Sequence, residues 1–317
     1  MTGSFLDARL ELEGIDRLHT DKRMTAETAV ERFVKDGDHL AIGGTLYSRT
    51  PMSLVFAVLR AGARDLNISR PLMCYEGELL LATGQASRLV TSWVGIGLQW
   101  GLARVVRQYV EGGLAVYEEW SHLGMGLRYK AGAMGVPFLP TLTMLGSDLA
   151  KAIELATVTC PYTGAQLAAI PSLNPDVALL HVHRADMYGN VQVDGYRHMD
   201  VDMARAARRV IVSAERIVDP EEIARDPAAT MLPHFAVDAV VLAPYGAYPN
   251  ECYGLYEADL EHFDRYVKDV KTDGADGARL YVERHVRGHP DFATFLDVDV
   301  GETTLHELTR AAKEMLP

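Results

Sequence analysis

The stretch DHLAIGGTLYSRTP, residues 38–51, decides the fold class of this chain, because it predicts a strand, a tight turn and a helix start in succession. Residues 40–42 form a short apolar run with the character of a buried strand. Gly43 and Gly44 follow it, and without a Cβ atom they permit unusual torsions and close approach of a ligand to the backbone. The Thr-Pro pair at 50–51 then matches an N-cap followed by proline at the first helical position.

The predicted helix start gives this turn a chemical meaning. The N–H groups at a helix N-terminus favour a negatively charged group, and Arg49 beside it adds a donor for a charge-assisted hydrogen bond. Two interpretations follow from the residues alone. The turn is either a binding site for a phosphate or an acyl oxyanion, or a tight turn with a structural role only.

Short apolar runs alternate with helical patterns along most of the chain. The predicted strands are residues 40–42, 71–75, 89–93, 114–117, 166–170, 177–182, 210–212 and 239–243. This alternation predicts βαβ units, and therefore an α/β fold with an open, mainly parallel sheet covered by helices on both faces. Because ligands of such sheets bind beyond the carboxyl ends of the strands, we expect the turns at 43–44, 75–77 and 244–246 to lie on one rim.

The chain divides into three predicted parts. Residues 1–22 form an N-terminal arm rich in charged side chains, and residues 23–259 carry the alternating pattern of one α/β domain. Residues 260–317 show a strongly charged helical pattern, which predicts a helical C-terminal extension.

Composition limits the classes of function. The chain has 317 residues, a formal net charge of −12 and a pI near 5.4, and its basic residues form no stripe, so nucleic acid is not an expected partner. No apolar run is long enough to span a bilayer and the first residues lack a signal-peptide pattern, so we expect no membrane association and a cytoplasmic location. Cys74, Cys160 and Cys252 are widely spaced, which favours reduced thiols.

Four segments carry a resemblance to family I coenzyme A transferases, specifically to their A (alpha) subunits, with that of glutaconate CoA-transferase most similar. The segments occur in the order found in the family: GDHLAIGG with TP after it, YEEWSHLGMGLRYKAGAMGVPFLP at 117–140, VALLHVHRADMYGNVQ at 177–192, and VDAVVLAPYGAYPNECYGLYEAD at 237–259. One position departs from the pattern, because Thr45 stands where the family usually has phenylalanine.

The resemblance implies the fold, the reaction and a partner. It implies a CoA-transferase-type α/β fold and exchange of CoA between an acyl-CoA and a carboxylic or dicarboxylic acid, with CoA as substrate and no tightly bound cofactor. The glutamate nucleophile usually belongs to a B-type subunit, and this chain has no Ser-Glu-Asn-Gly run, so a heterotetramer with such a partner is expected. The residues expected to bind substrate or CoA are Gly43, Gly44, Thr45, Arg49, Tyr245 and Gly246.

Three residues of this chain are candidates for nucleophilic or acid–base chemistry. Glu76, in CYEGELL, ends an apolar run before a glycine. The resemblance implies the same setting for the nucleophilic glutamate of the partner subunit. The alternative is that Glu76 is a solvated glutamate in a turn. Glu118 and Glu119 lie at the start of YEEWSH. Since side chains alternate along a strand, we expect at most one of them to face the pocket, and Glu119 is the candidate. His122 is suited to acid–base chemistry near neutral pH, although bonding to backbone is the more ordinary function of a histidine.

Other interpretations stay open at this point. A related branch of the family, the ring-opening CoA-ester hydrolases of steroid breakdown, carries an essential acid near the position of His122, where this chain has no carboxylate. A non-catalytic module that binds acyl-CoA or a sugar phosphate is the third hypothesis. We expect no metal site, because His181 and His183, even with Asp186 nearby, lack the further ligands that zinc needs.

Overall fold

The computed structural model describes residues 6, 7, 10 and 19–315, and a nine-stranded sheet forms its centre. Seven of the strands are parallel; in order across the sheet they are β6 (Val116–Glu119), β4 (Ala86–Thr91), β2 (Leu66–Ser69), β1 (His39–Ile42), β10 (Val177–Ala185), β12 (Arg209–Ile217) and β14 (Ala239–Leu242). Two short strands, β11 (Val191–Gln192) and β13 (Thr230–Leu232), continue the sheet antiparallel from β10. The predicted α/β fold with a mainly parallel sheet is confirmed.

Helices cover both faces of this sheet. In chain order they are α1 (Ala26–Phe33), α2 (Met52–Ala61), α3 (Tyr75–Ala82), α4 (Arg104–Glu111), α5 (His122–Met134), α6 (Asp148–Ala152), α7 (Asp200–Ala206), α8 (Pro220–Arg225), α9 (Leu260–Asp273), α10 (Ala275–Tyr281), α11 (Phe292–Phe295) and α12 (Glu302–Met315). Helices α1 to α4 share one apolar core with α9 to α12, whereas α5 and α7 belong to the core on the opposite face. The C-terminal helices therefore extend the main core.

The central strands are buried on both sides, as parallel strands between two helical layers must be. All four residues of β1 are buried, and Leu40 aligns with Val177 of β10 and with Ile68 of β2. Burying a side chain of this size contributes about 1.5–3 kcal/mol. The apolar run that the sequence indicates at 40–42 is therefore the middle of the sheet, and its carboxyl end opens onto the rim.

Two predicted strands differ from the structure. Residues 166–170 lie in β9 (Gln166–Pro171), which is the centre of a separate antiparallel sheet with β7 (Phe138–Thr141) and β8 (Thr157–Thr159). Residues 71–75 contain only the two-residue strand β3 (Leu72–Met73), paired with β5 (Trp93–Val94). The strand that fills the position beside β1 is β2, whose polar sequence LNIS the sequence analysis missed.

The predicted start of one helix needs correction. Helix α2 begins at Met52 with Pro51 as its N-cap and no side-chain cap, because the Thr50 hydroxyl bonds to Leu46 O instead. Most of the predicted N-terminal arm, 1–22, lies outside the described residues; of its last residues, Lys22 N donates to Met187 O. No described helix combines the length and apolar character required to cross a bilayer.

Candidate functional site

The glycine turn closes the carboxyl end of β1. Gly43 N donates to Leu179 O at 2.8 Å, and Gly44 N donates to Asp200 Oδ1 at 2.8 Å. Gly44 adopts φ +69°, and a Cβ atom on it would lie 2.1 Å from Ser48 O, so only glycine fits there. Both N–H groups are used inside the chain, and the turn therefore offers its outer surface, not these two donors, to a ligand.

Arg49 is a buried part of the same turn. Its guanidinium lies 2.9 Å from Asp200 Oδ2, and it donates to His181 O and Tyr196 O at 2.8 Å each. Both side chains of the ion pair are almost completely buried. The pair ties the glycine turn to the first residue of α7, and the role of Arg49 in binding substrate stays a prediction.

Thr45 begins the half-buried loop 45–48 at the rim. Its hydroxyl Oγ1 is buried and has no hydrogen-bond partner among the described residues, although the residue as a whole is half-buried. Three residues further along, Ser48 Oγ lies 3.0 Å from His198 Nε2. Burial lowers the pKa of His198 to about 4, and the charge of Arg49 acts in the same direction. The imidazole beside this loop is therefore neutral at pH 7.

Glu76 lies in the first turn of α3 and is completely buried, so the interpretation as a solvated turn residue is wrong. Arg70, which directly follows β2, donates to Glu76 Oε1 at 2.6 Å, and Cys74 N donates to the same oxygen at 2.9 Å. Arg70 also donates to Thr50 Oγ1 at 2.8 Å. The carboxylate is thus held in an ion pair beneath the rim, and sequence analysis missed Arg70.

Two neighbouring glutamates of β6 face opposite directions, as strand alternation predicts. Glu118 is half-buried and accepts hydrogen bonds from Arg88, Arg128 and Trp120 at 2.8, 2.5 and 2.8 Å. Burial raises the pKa of Glu118, but the charge of Arg128 and these hydrogen bonds outweigh it, so the pKa lies below its ordinary value. Glu119 is exposed.

His122 is the first residue of α5 and is exposed on the rim. Its Nδ1 lies 3.3 Å from Ser92 Oγ, which follows β4. Ser121 caps this helix by accepting a hydrogen bond from Gly124 N at 2.9 Å. The structure therefore brings His122, Ser92 and Glu119 to adjacent strand ends, and their catalytic roles stay predictions.

The segment PYGAYPNECYGLY, 244–256, is anchored by Glu215 of β12. Glu215 Oε2 accepts from Tyr245 N at 2.7 Å, and Oε1 accepts from Tyr256 OH at 2.5 Å. A Cβ atom on Gly246 would lie 2.7 Å from His181 Cε1, which explains the glycine. Tyr245 and Gly246 are therefore positioned by an internal network at the end of β14, and their contact with substrate stays a prediction.

The same network contains a set of metal-ligating side chains. One ligand atom each of His181, Glu215 and Cys252 lies within 4.8 Å of the others, and all three residues are buried. However, His181 Nδ1 lies 2.9 Å from Ser213 Oγ, and its Nε2 lies 2.7 Å from Glu215 Oε1. Since both imidazole nitrogens have hydrogen-bonding partners, we interpret the cluster as a structural network, and the prediction of no metal site stays a prediction.

His183 contacts that cluster through Cys252, whose Sγ lies 3.7 Å from His183 Nε2, whereas Asp186 belongs to a separate turn. His183 Nε2 lies 2.9 Å from Tyr253 O, while Asp186 accepts from Tyr188 N and Asn190 N in the tight turn after β10. His181 and His183 therefore alternate along β10 as residues of one strand, but Asp186 does not lie beside them.

Comparisons with known proteins agree with this fold. The coenzyme A transferase family model matches residues 23–243. An uncharacterised protein of Archaeoglobus fulgidus is 38% identical over 92% of this chain, which spans 65% of that protein's length. The A (alpha) subunit of glutaconate CoA-transferase from Acidaminococcus fermentans is 34% identical over 79% of this chain and 84% of its own length. The chain belongs to the coenzyme A transferase family.

Further relatives include enzymes with other reactions. The cholesterol ring-cleaving hydrolase IpdA subunit of Rhodococcus jostii is 32% identical over 86% of this chain and 94% of its own length. The crystal structure of glutaconate coenzyme A-transferase from Acidaminococcus fermentans matches with TM-score 0.86 and 32% identity, over 90% of this chain and 95% of that chain. A variant of the decarboxylase AibA/AibB matches with TM-score 0.75 and 33% identity, over 84% of this chain and 100% of that chain.

Proposed function

We propose that this chain is the alpha subunit of a heteromeric CoA transferase that moves CoA between an acyl-CoA and a carboxylic acid, with dicarboxylates as the favoured substrate class. The substrate class follows from the similarity to the alpha chain of a glutaconate CoA-transferase over most of the sequence. The partner is a B-type chain, and the assembly is a heterotetramer.

One observation carries the proposal. Two of the buried acids near the rim, Glu76 and Asp200, are each held in an ion pair with an arginine, and a third, Glu215, is held by His181, Tyr245 N and Tyr256 OH. A carboxylate in a buried ion pair is a poor nucleophile, because attack would leave the arginine charge buried and unpaired. Since these acids are engaged within the chain, a partner is proposed to supply the glutamate.

The proposed reaction balances without water. A partner glutamate attacks the acyl-CoA carbonyl carbon, the C–S bond breaks, and an acyl–glutamyl anhydride and CoA thiolate form. The thiolate attacks the glutamyl carbonyl, which releases the first carboxylate and leaves a glutamyl–CoA thioester. The second carboxylate attacks this thioester, the two steps run in reverse, and CoA leaves on the new acyl group while the glutamate is restored.

This chain's own contribution is the surface of the rim. Loop 45–48 contains the Thr45 hydroxyl, which is buried without a partner among the described residues and is proposed to donate one hydrogen bond to the acyl-CoA. His122 Nδ1 lies 3.3 Å from Ser92 Oγ, close to the ends of the neighbouring strands β6 and β4. A fixed donor near the thioester carbonyl stabilises the charge that develops on its oxygen.

The hydrolase alternative has less support in this chain. It requires an acid near position 122, and the residue there is an exposed imidazole. Glu119, three residues earlier, is exposed to solvent at the end of β6. The two functions differ in their products, since hydrolysis consumes one water per turnover and exchange consumes none.

The test uses the purified complex of this chain with its B-type partner. We expect CoA to move from an acyl-CoA to an added dicarboxylate, faster than to a monocarboxylate of equal length, with stoichiometric release of the first acid. The products are separated by chromatography and identified by mass. Consumption of acyl-CoA without an acceptor, release of carbon dioxide, or full activity of the lone chain would each contradict the proposal.

A further inference from the structure

The C-terminal helix α12 packs on the rest of the chain through one stripe of its surface. Leu305 and Ala312 on this stripe are buried, and Leu308 and Thr309 between them are half-buried. The spacing i, i+3, i+4, i+7 places these four side chains on one helical face. The contacts of this face therefore show what the helix does in the folded chain.

This face of α12 contacts the segment 244–256 at the rim. Leu308 packs against the buried cluster that Ala247, Cys252 and Tyr256 form. The carbonyl oxygen of Leu308 also accepts a hydrogen bond from Glu257 N at 3.2 Å. The last described helix of the chain therefore reaches the end of β14, where the rim begins.

Thr309 makes the most specific of these contacts. Its hydroxyl oxygen lies 2.9 Å from Tyr245 OH, and the hydroxyl donates to Leu305 O at 2.9 Å. Since the Thr309 hydrogen is used in the bond to Leu305 O, the Tyr245 hydroxyl is the donor in the other bond. One hydroxyl group thus joins the side chain of the rim turn to the backbone of α12.

Tyr245 is a residue that the surrounding structure must hold in place. Its φ of +55° lies in the left-handed region, which is unfavourable for a residue with a side chain and persists only where several contacts fix it. Glu215 Oε2 accepts from Tyr245 N at 2.7 Å, and the ring centroids of Tyr245 and Tyr256 lie 4.9 Å apart. The hydroxyl of Thr309 is the third contact, and it comes from the C-terminal extension.

The turn held in this way is bonded to its neighbours at the rim. Gly246 O accepts a hydrogen bond at 2.9 Å from Ser53 N, in the first turn of α2. Further along the same segment, Glu251 N donates to Tyr47 O at 2.8 Å. A shift of the segment 244–256 would therefore be passed to loop 45–48.

We propose that Thr309 is a positioning residue of the rim, which anchors the turn 244–246 through the Tyr245 hydroxyl and so keeps loop 45–48 in the geometry that the reaction needs. The C-terminal extension then acts on the site as well as on the core. The reaction measured below rests on the proposed function. Neither Thr309 nor the Tyr245 hydroxyl has to touch substrate for this role.

The test is a double-mutant cycle in the complex with the B-type partner. Thr309→Val and Tyr245→Phe remove the two ends of the same hydrogen bond. We expect each to lower kcat/KM by about 3- to 10-fold, the value of one neutral hydrogen bond. The double variant should lose no more than either single variant, because both remove one interaction. Additive losses would overturn the proposal, since the two side chains would then act independently.

Two further variants separate the hydrogen bond from packing. Thr309→Ser retains the hydroxyl and should restore the wild-type kcat/KM. Thr303→Val is the same replacement at an exposed position of α12 and should leave kcat/KM unchanged. A Thr309→Ser variant as impaired as Thr309→Val would contradict the proposal, because the loss would then come from the methyl group.

A second measurement detects the anchor without any reaction. Hydrogen–deuterium exchange of residues 244–257 in the complex should be faster in Thr309→Val and Tyr245→Phe than in the wild type, whereas Thr309→Ser and Thr303→Val should match the wild type. Exchange in β1, which lies in the centre of the sheet, should stay slow in all of them. Wild-type exchange of residues 244–257 in both impaired variants would show that the bond anchors nothing.

The two proposals fail separately. If the wild-type complex transfers no CoA but both variants speed exchange equally, Thr309 anchors the rim and the proposed function is wrong. If the complex transfers CoA and neither variant lowers kcat/KM, the function stands and the positioning role of Thr309 is wrong, whatever the exchange shows.

Discussion

Arg49 and Arg70 decide which side chains at the rim are available for chemistry. Arg49 holds the carboxylate of Asp200, which is distant in sequence, and Arg70 holds that of Glu76 in the next helix. Both arginines are almost completely buried. Breaking such a pair leaves an uncompensated charge, which costs several kcal/mol, so both pairs are fixed parts of the structure. Thr45, Glu119 and His122 lie at the rim outside these pairs, whereas the Ser92 hydroxyl donates to Pro71 O.

Substitution of the turn glycines cannot test the function of the turn, whereas substitution of Thr45 can. A side chain at Gly44 would collide with Ser48 O and occupy a positive φ, so its replacement would destabilise the turn itself. Thr45 is half-buried, and within the described chain its hydroxyl has no partner to lose.

Thr45→Val keeps the shape of the side chain and removes its hydroxyl. We expect the free energy of unfolding to stay the same or rise by up to about 1 kcal/mol, because an unpaired buried hydroxyl is removed. If the hydroxyl binds the acyl-CoA, kcat/KM of the complex should fall by about 3- to 10-fold, the value of one neutral hydrogen bond. Thr272→Val on α9 is the control. Unchanged kcat/KM with unchanged stability would exclude Thr45 from the site.

Local patterns predicted the elements with a clear apolar run or a helical pattern. The runs at 40–42 and 177–182 became β1 and most of β10, and the helical pattern after residue 260 became α9, whose buried face includes Phe263, Tyr266 and Val270. Strand β2 was missed because its Ser69 is polar, yet that serine is buried and accepts a hydrogen bond from Tyr129 OH at 2.8 Å. The pairing that stabilises it comes from a residue far along the chain.

Glycine misled the prediction at residues 75–77. Gly77 indicated a turn, but it lies inside α3, where glycine makes room for Met73, because a Cβ atom there would be 2.4 Å from Met73 Sδ. Similarly, the sequence identified Arg49 but gave no signal for its pairing with Asp200, since a single sequence does not show which distant residues meet. Close packing and long-range ion pairs are set by the three-dimensional fold, so these parts of the site needed the structure.

Helix α3 also carries a carboxyl group whose protonation should control stability. Burial raises the pKa of Glu78 from 4.5 to about 7, although Glu78 Oε1 accepts from Val105 N and Oε2 accepts from Tyr266 OH, at 2.9 and 3.0 Å. The folded chain therefore binds this proton more tightly than the unfolded chain. Stability from this group is fully present below pH 4.5 and is lost as pH rises through about 7.

Glu78→Gln removes this titration while it retains an acceptor for one of the two donors. The wild-type free energy of unfolding should fall by about 2–3 kcal/mol between pH 5 and pH 8 relative to that of the variant. Urea unfolding at several pH values measures the difference. Glu119→Gln, at an exposed position, should change the pH profile little. Parallel profiles for wild type and Glu78→Gln would show that Glu78 is ionised in the folded chain.

The molecule as a whole is organised around two surfaces with different character. One is the rim, where the sheet ends and the free polar groups collect. The other is the three-stranded antiparallel sheet β7–β9–β8, which is poor in charge and joined to α5 by the hydrogen bond from Leu173 N to Arg128 O. The C-terminal helices share a core with α3 and also contact the rim, because the ring centroids of Phe263 and Tyr47 lie 5.4 Å apart and Thr309 Oγ1 lies 2.9 Å from Tyr245 OH. This arrangement fits one half of a two-chain catalytic unit.

The position of the covalent intermediate tests that organisation. When the complex is incubated with acyl-CoA and trapped with hydroxylamine or borohydride, we expect the label on a glutamate of the B-type chain. Glu76 should stay unlabelled, because it is buried away from substrate and its Oε1 accepts hydrogen bonds from Arg70 and from Cys74 N. Mass spectrometry of the peptides reads the result directly.

The controls separate chemistry from folding. Glu119→Gln should retain the label on the partner, whereas omission of acyl-CoA should abolish it. Glu76→Gln keeps an acceptor for Cys74 N and should also retain the label in any complex that still assembles. A label on the peptide CYEGELL, 74–80, would place the nucleophile in this chain. In that case Arg70 would have to release Glu76 during turnover, and the ion pair would be a resting state of the catalytic residue.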